Sequence, residues 1–551
     1  MLTILLSLFL SIYHPPVSYD ISLAGNFGEP RPHHFHGGID IKTDGVEGKA
    51  IYSIGDGYVS RVTMGKNGFG NAVYVTHPEG YTSVYCHLKA FSPRIKAAMR
   101  RWQYAHETCE ADAHLSPLDC PVSQGQLIAL SGNTGHSTGP HLHLEIHDTE
   151  TWNMLDPCDF IGDYVNDTVP PRAHSLMAYP QPGEGVFNKS TAKQSFPVTD
   201  ATRKQPFTAW GRVGFALWAD DYMQESHNHF GIRETILQVD GQEVFHAVVN
   251  NIPVEANRLV NAWGDYEYWL HHKTWYMKSY VEPGNTLPIL RAENRGIIDF
   301  HEERDYQLEY ILRDFKGNES RCAFVVRGVM TDIPQSVEPS IDGPSRLFHW
   351  NQTNTFSAPG VQLIVPYGLL TSDMRLQPIV RLKMDHLSDS YTFYPSSYPL
   401  VSHGELAIYA HPERLEGRDV VRQDIDTSKI YVSCNGKYMG GDYQDGWVRS
   451  HIQELGATYE LAYDDEPPEI TPMMLGERVV LRLTDAQSGI ASYTATIDGR
   501  FVVFDAADKQ PQVVCDLAET PIRKTHRTHQ LRFTATDNRQ NTKVFETSII
   551  Y

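Results

Sequence analysis

His36 and Asp40 stand as H-x-x-x-D in the string HFHGGIDIKT, and His141 and His143 as H-x-H in PHLHLEI. On a β-strand alternate side chains share a face, so the second pair of imidazoles converges on one point while Leu142 points into the core. With His36 and the Asp40 carboxylate they offer more donors than tetrahedral Zn2+ needs if one position stays open for water. Either motif alone is weak, because in a chain with 26 histidines each can arise as a surface or core pair. The combination carries the signal.

The elements that must position these groups read as β-structure. Between about residues 19 and 160, runs such as AIYSIGDGYVSRV, NAVYVTHPEGYTSVYCHL and QLIALSGNTG are β-branched and aromatic and are punctuated by glycine. FSPRIKAAMRRWQYAHETCEADAH has helical composition and is expected to form an insertion on that framework. The pairs Pro170-Pro171 and Pro467-Pro468 mark two boundaries. Beyond each, one pattern recurs. Gly231-Ile232 precedes Asp240-Gly241 at the distance at which Gly489-Ile490 precedes Asp498-Gly499, and YQLEYILRDFKGN aligns without gaps on HQLRFTATDNRQN. The Asp-Gly pairs are hairpin turn signals, so 172–332 and 469–551 are expected to be immunoglobulin-like or fibronectin-like β-sandwiches. Residues 336–466 are strand-rich without the repeat, and 1–18 form a signal peptide or anchor.

At this point HHFHGGIDIKT, YTSVYCHLKAF and SGNTGHSTGPHLHLEI, in that order, resemble the lysostaphin (LytM-type) zinc metallopeptidases over about residues 20–160. The resemblance implies an N-terminal peptidase domain (19–165), which with its helical insertion and the Ig-like modules read from the repeat makes the chain mainly β. It implies His36, Asp40 and His143 as zinc ligands, His87 and His141 as non-ligand catalytic histidines, and peptidoglycan peptide as substrate. Strand alternation would put His87 and Tyr85 on one face and Cys86 on the other, buried. With no H-E-x-x-H glutamate to act as base, the two histidines would divide the proton transfers and the stabilisation of the tetrahedral oxyanion.

Other residues are read more plainly. Glu145 lies two positions beyond His143 and either orients that imidazole or is a solvated strand-end charge. His33 and His34 are expected in a loop beside the cleft, Asn133 and the glycines of SGNTGHSTG in a tight loop by the substrate groove, and Asn71 in a turn. Asp314 and Asp537 bring calcium to mind, but one carboxylate per turn is too few for an ion that takes six to eight oxygens.

At 551 residues the chain must hold several domains, and a formal charge of −20 argues against a nucleic-acid partner. The apolar run MLTILLSLFLSIY has the length of a signal-peptide core, which points to export to the periplasm or cell envelope, although no Lys or Arg precedes it. Seven cysteines show no C-x-x-C spacing, and Cys109 and Cys120 are close enough in sequence to pair in an oxidising compartment. The functional expectation is a secreted peptidoglycan endopeptidase whose later modules are candidates to bind an envelope protein. The competing classes are a non-catalytic regulator of another wall hydrolase and a secreted peptidase of extracellular proteins.

Overall fold

A computed structural model describes residues 13–65, 67–204, 206–224, 226–335, 346–415 and 425–551. The apolar leader falls almost wholly outside these residues. Among them, no helix is long and apolar enough to cross a membrane.

Asp40, His141 and His143 lie in one antiparallel sheet with strand order Leu23–Gly25, Gly38–Lys42, His141–Asp148, Tyr81–Cys86, Ala72–Thr76, Gly57–Thr63 and Asp112–His114, and His36 just ahead of its second strand. His141–Asp148 is central, and its pairing sets the register of the site: His143 stands opposite Asp40 on one side and Cys86 on the other. The alternation expected from the sequence holds along this strand. Leu142, Leu144 and Ile146 are buried in the core, and His141, His143, Glu145 and His147 occupy the other face. Gly38 is required where this strand meets its neighbour, since a Cβ there would lie 2.1 Å from the Leu144 carbonyl oxygen. The sheet continues through Met154–Leu155 to Asn251–Ile252, so the segment beyond Pro171 contributes a strand to it.

The helical composition after His87 is realised as Pro93–His106, but the end of that stretch is not helical. Asp112–His114 pairs with Arg61–Thr63, and the Arg61 guanidinium grips the Asp112 carboxylate at 2.6 and 2.7 Å. Cys109 and Cys120 form no disulfide with each other, which corrects the pairing considered for them. Cys109 is buried among Val502, Phe504 and Cys515, and its sulfur accepts the Phe504 N–H at 3.4 Å.

The chain divides into two compact units. The first holds the residues up to Met99, Asp112–Glu282 and those from Thr286 up to 335; the second holds Arg100–Ala111, Pro283–Asn285 and the residues from 346 onward. Within the first, Arg172–Phe187 pairs along most of its length with Phe207–Asp220 in a second large sheet. Within the second, 346–463 form two five-stranded sheets and one two-stranded sheet, and 469–550 two four-stranded sheets that share one core around Leu481, Ile497, Phe504 and Phe533. Both repeated Asp-Gly pairs are hairpin turns as expected: Asp240-Gly241 has φ of 51° and 79°, and Asp498-Gly499 has 49° and 75°.

Candidate metal centre

Three ligand atoms meet. His36 Nε2 lies 3.1 Å from Asp40 Oδ1 and 3.0 Å from His143 Nδ1, and His143 Nδ1 lies 2.8 Å from Asp40 Oδ1. All three residues are buried. Two nitrogens and a carboxylate oxygen so close together form the donor set zinc takes, with a fourth position left for water or substrate. The outward-facing nitrogens are also engaged. His36 Nδ1–H donates to the Asn26 carbonyl at 2.6 Å, and His143 Nε2–H to Glu145 Oε1 at 3.0 Å, so both tautomers present a lone pair to the centre. Glu145 is buried and also contacts His147 Nε2 through Oε2 at 2.6 Å, which excludes the solvated-charge reading.

Electrostatics follow from this packing. Burial holds the His36 pKa down to about 4. Burial also disfavours charge on His143, but Asp40 and Glu145 on either side outweigh it and raise its pKa to about 9. A cation entering the site must displace that proton, so its affinity rises with pH. Burial opposes the ionisation of Asp40, but His36, His141 and His143 overcome it and hold the carboxyl well below its ordinary range.

His141 and His87 flank the three. His141 Nδ1–H donates to the Gly139 carbonyl at 2.8 Å, and its Nε2 lies 3.4 Å from Asp40 Oδ1. His87 Nδ1–H donates to the Thr134 carbonyl at 2.8 Å; its ring centroid is 4.8 Å from that of His141 and 5.7 Å from that of His143. The face assignment made for His87 by strand alternation needs correction. The strand ends at Cys86, and His87 takes a left-handed backbone, φ 59°, so a reversal of the chain aims its ring. Burial, reinforced by His143 and His141, lowers its pKa to about 3. Cys86 is buried with Ala72, Tyr74 and Val84, as expected, and burial pushes its thiol well up.

The SGNTGHSTG loop anchors His87. Gly135, φ 69°, packs so closely on Gly70 that a Cβ would lie 2.4 Å from the Gly70 nitrogen. Asn71 is a turn residue: its N–H donates to Thr134 Oγ1 and its side chain to the Leu88 carbonyl. Asn133 Oδ1 is buried without a hydrogen-bond partner.

Three features went unread in the sequence, and two of them left no local signal in it. Arg31 Nη2 lies 3.2 Å from Asp40 Oδ2, on the side away from the histidines. Residues 254–263 brace the loop that carries His36: Asn257 Oδ1 accepts from Phe35 N–H at 2.6 Å, and Asn261 Oδ1 from His33 N–H at 3.0 Å. His33, read as a cleft-side loop residue, has φ 72° and stacks obliquely on Tyr266. His147 alone had a signal, since His143, Glu145 and His147 recur at period two.

Residues 34–101 match Peptidase family M23, a span that includes His36, Asp40 and His87, and residues 345–464 match the Zu5-like domain. A metalloprotease of Haemophilus influenzae is 34% identical over 120 residues, covering 22% of this chain and 19% of its own length. The DD-carboxypeptidase/endopeptidase Mpg of Neisseria meningitidis is 33% identical over 110 residues, 20% of this chain and 19% of the relative. The peptidoglycan DD-endopeptidase ShyA of Vibrio cholerae is 32% identical over 137 residues, 24% and 26% respectively. The chain thus spans only a fifth to a quarter of the length of these relatives. The lysostaphin catalytic domain of Staphylococcus simulans, 21% identical with a TM-score of 0.20, aligns over 26% of this chain and 92% of its own. The N-terminal part of the chain is a Peptidase M23 domain of LytM type, and zinc is its cofactor.

Proposed function

We propose that the chain is an exported zinc metalloendopeptidase that hydrolyses peptide cross-links or stems of peptidoglycan, with His36, Asp40 and His143 as zinc ligands and His87 and His141 as the catalytic histidines. The observation that carries this reading is the completeness of the constellation. The three ligand atoms converge, and both non-ligand imidazoles have Nδ1–H tied to a carbonyl, with Nε2 of His141 3.4 Å from Asp40 Oδ1.

Bound at the three ligands, zinc supplies Lewis acidity, lowering the pKa of a water toward ~7 and polarising the scissile carbonyl. The histidines do the remaining work. His141 and His87, their rings adjacent, can accept the proton of the attacking water and donate one to the oxyanion or the leaving amine. The carbonyls of Gly139 and Thr134 fix the tautomers this exchange needs. Glu145 holds His143 in place without touching substrate.

In this reading residues 19–165 are the peptidase domain, 172–332 and 469–551 are Ig-like modules and 336–466 a further β-module. These modules position the catalytic domain on the wall or bind an envelope protein, and the apolar leader directs export. The named activities of the Neisseria and Vibrio relatives support the substrate class. The test is digestion of purified sacculi alongside casein. New amino groups and soluble muropeptides from sacculi alone, abolished by a chelator and restored by zinc, are expected. Cleavage of casein alone would instead indicate a peptidase of extracellular proteins, and a zinc-loaded chain inert on both a regulator.

A further inference from the structure

Asp167, Asp221 and Asp314 come from three separate segments: the connector ahead of Pro170-Pro171, the residue following strand Phe207–Asp220, and the turn after strand Asp305–Arg313. Each offers a carboxylate oxygen within 4.8 Å of the others, and all three residues are buried. The objection raised by the sequence, one carboxylate per turn, is therefore removed by the fold.

Asp221 decides what the cluster is for. It is fully buried, at 0% exposure, and neither of its carboxylate oxygens accepts a hydrogen bond of normal geometry, the Tyr222 N–H exerting only a weak pull; Asp167 Oδ2 has no partner either. By contrast Asp314 is capped, Oδ1 accepting from the backbone N–H of Lys316 and Asn318 and Oδ2 from the Asn318 amide. The nearby Lys316 ammonium donates instead to the Gly162 carbonyl at 2.8 Å. Gln224, whose amide donates to Thr168 beside Asp167, also leaves its Oε1 buried and without a partner. Buried carboxylate oxygens without donors are costly unless a cation or a proton meets them. Burial, with Asp167 and Asp314 adding to it, raises the Asp221 pKa to about 8 against the weaker pull of the Tyr222 N–H.

We propose that Asp167, Asp221 and Asp314 bind a hard divalent cation, calcium, which fastens the connector after the peptidase part to the base of the following β-structure. The donors are all oxygens, with no imidazole or thiolate to favour zinc, and carboxylates with free oxygens plus water suit the six to eight ligands calcium takes. The repeat places Asp464, Asp485 and Asp537 together in the same way. There, however, Asp464 Oδ2 accepts the Ser488 N–H, and Asp485 Oδ1 accepts those of Gln487 and Gly489. Protein donors thus take up what Asp221 leaves open, and the assignment is made for the first cluster.

The test is equilibrium dialysis of the full-length, zinc-loaded chain against radioactive calcium at about 1 mM free ion, the upper end of extracellular module affinities, with melting temperatures recorded in parallel. The wild type is expected to retain calcium and to melt about 3 °C or more higher with it. Asp221→Asn and Asp167→Asn are each expected to retain one calcium fewer per chain and to lose the rise, while melting no lower than the wild type without calcium. A wild type that retains no calcium overturns the assignment, as does either variant retaining as many ions as the wild type.

Discussion

Glu145 Oε1 lies 3.0 Å from Nε2 of His143, and the opposite nitrogen of that ring lies 2.8 Å from Asp40. One imidazole thus joins a buried carboxylate to the proposed ligand set, and the carboxylate fixes both the tautomer and the plane of the ring. In Glu145→Gln the volume is kept and the charge removed, so the chain should fold with zinc affinity about 10- to 100-fold weaker. Competition with a chromophoric chelator measures this. An unchanged affinity would mean that strand packing alone orients His143.

The strand pair that sets the register of the ligands depends on a missing side chain. Gly38 stands opposite Glu145, and a methyl group there would collide with the Leu144 carbonyl. Gly38→Ala is expected to cost about 2 kcal/mol in urea unfolding and to lower zinc affinity as well, because Asp40 lies two residues along the same strand. Full zinc affinity in a destabilised variant would separate the register from the site.

His77, outside the proposed ligand set, ties stability to pH. It is buried, with Nδ1 2.8 Å from the Asp56 carbonyl and Nε2 2.7 Å from Ser83 Oγ. Burial lowers its pKa, outweighing the opposing pull of Asp56 and Glu79. With the folded pKa below the unfolded value of about 6.5, its contribution is complete above that pH and lost as pH falls toward the folded pKa. The melting-temperature advantage of the wild type over His77→Gln should therefore shrink between pH 7 and pH 5. A constant difference would contradict the shift.

Much of the centre was legible because it depends on short-range rules. H-x-H on a strand puts both rings on one face at any register, and Asp-Gly between apolar runs makes the same turn in both repeats. His87 escaped that rule because alternation stops where the strand does, at Cys86, and nothing local announces the left-handed residue that follows. Arg31 against Asp40, and Asn257 and Asn261 against the His36 loop, depend on how distant segments meet. The acidic trio was hidden for the same reason: no single turn holds more than one of its carboxylates, and only the folded chain brings Asp167, Asp221 and Asp314 together.

The most direct test of the central claim is the rate of muropeptide release from sacculi by His141→Ala, measured with its zinc content beside the wild type and Asp40→Ala. A catalytic histidine outside the ligand set predicts that His141→Ala keeps one zinc per chain and loses between about 100- and 10,000-fold in rate, while Asp40→Ala loses the metal and the rate together. Wild-type rates in zinc-loaded His141→Ala would contradict the role given to His141.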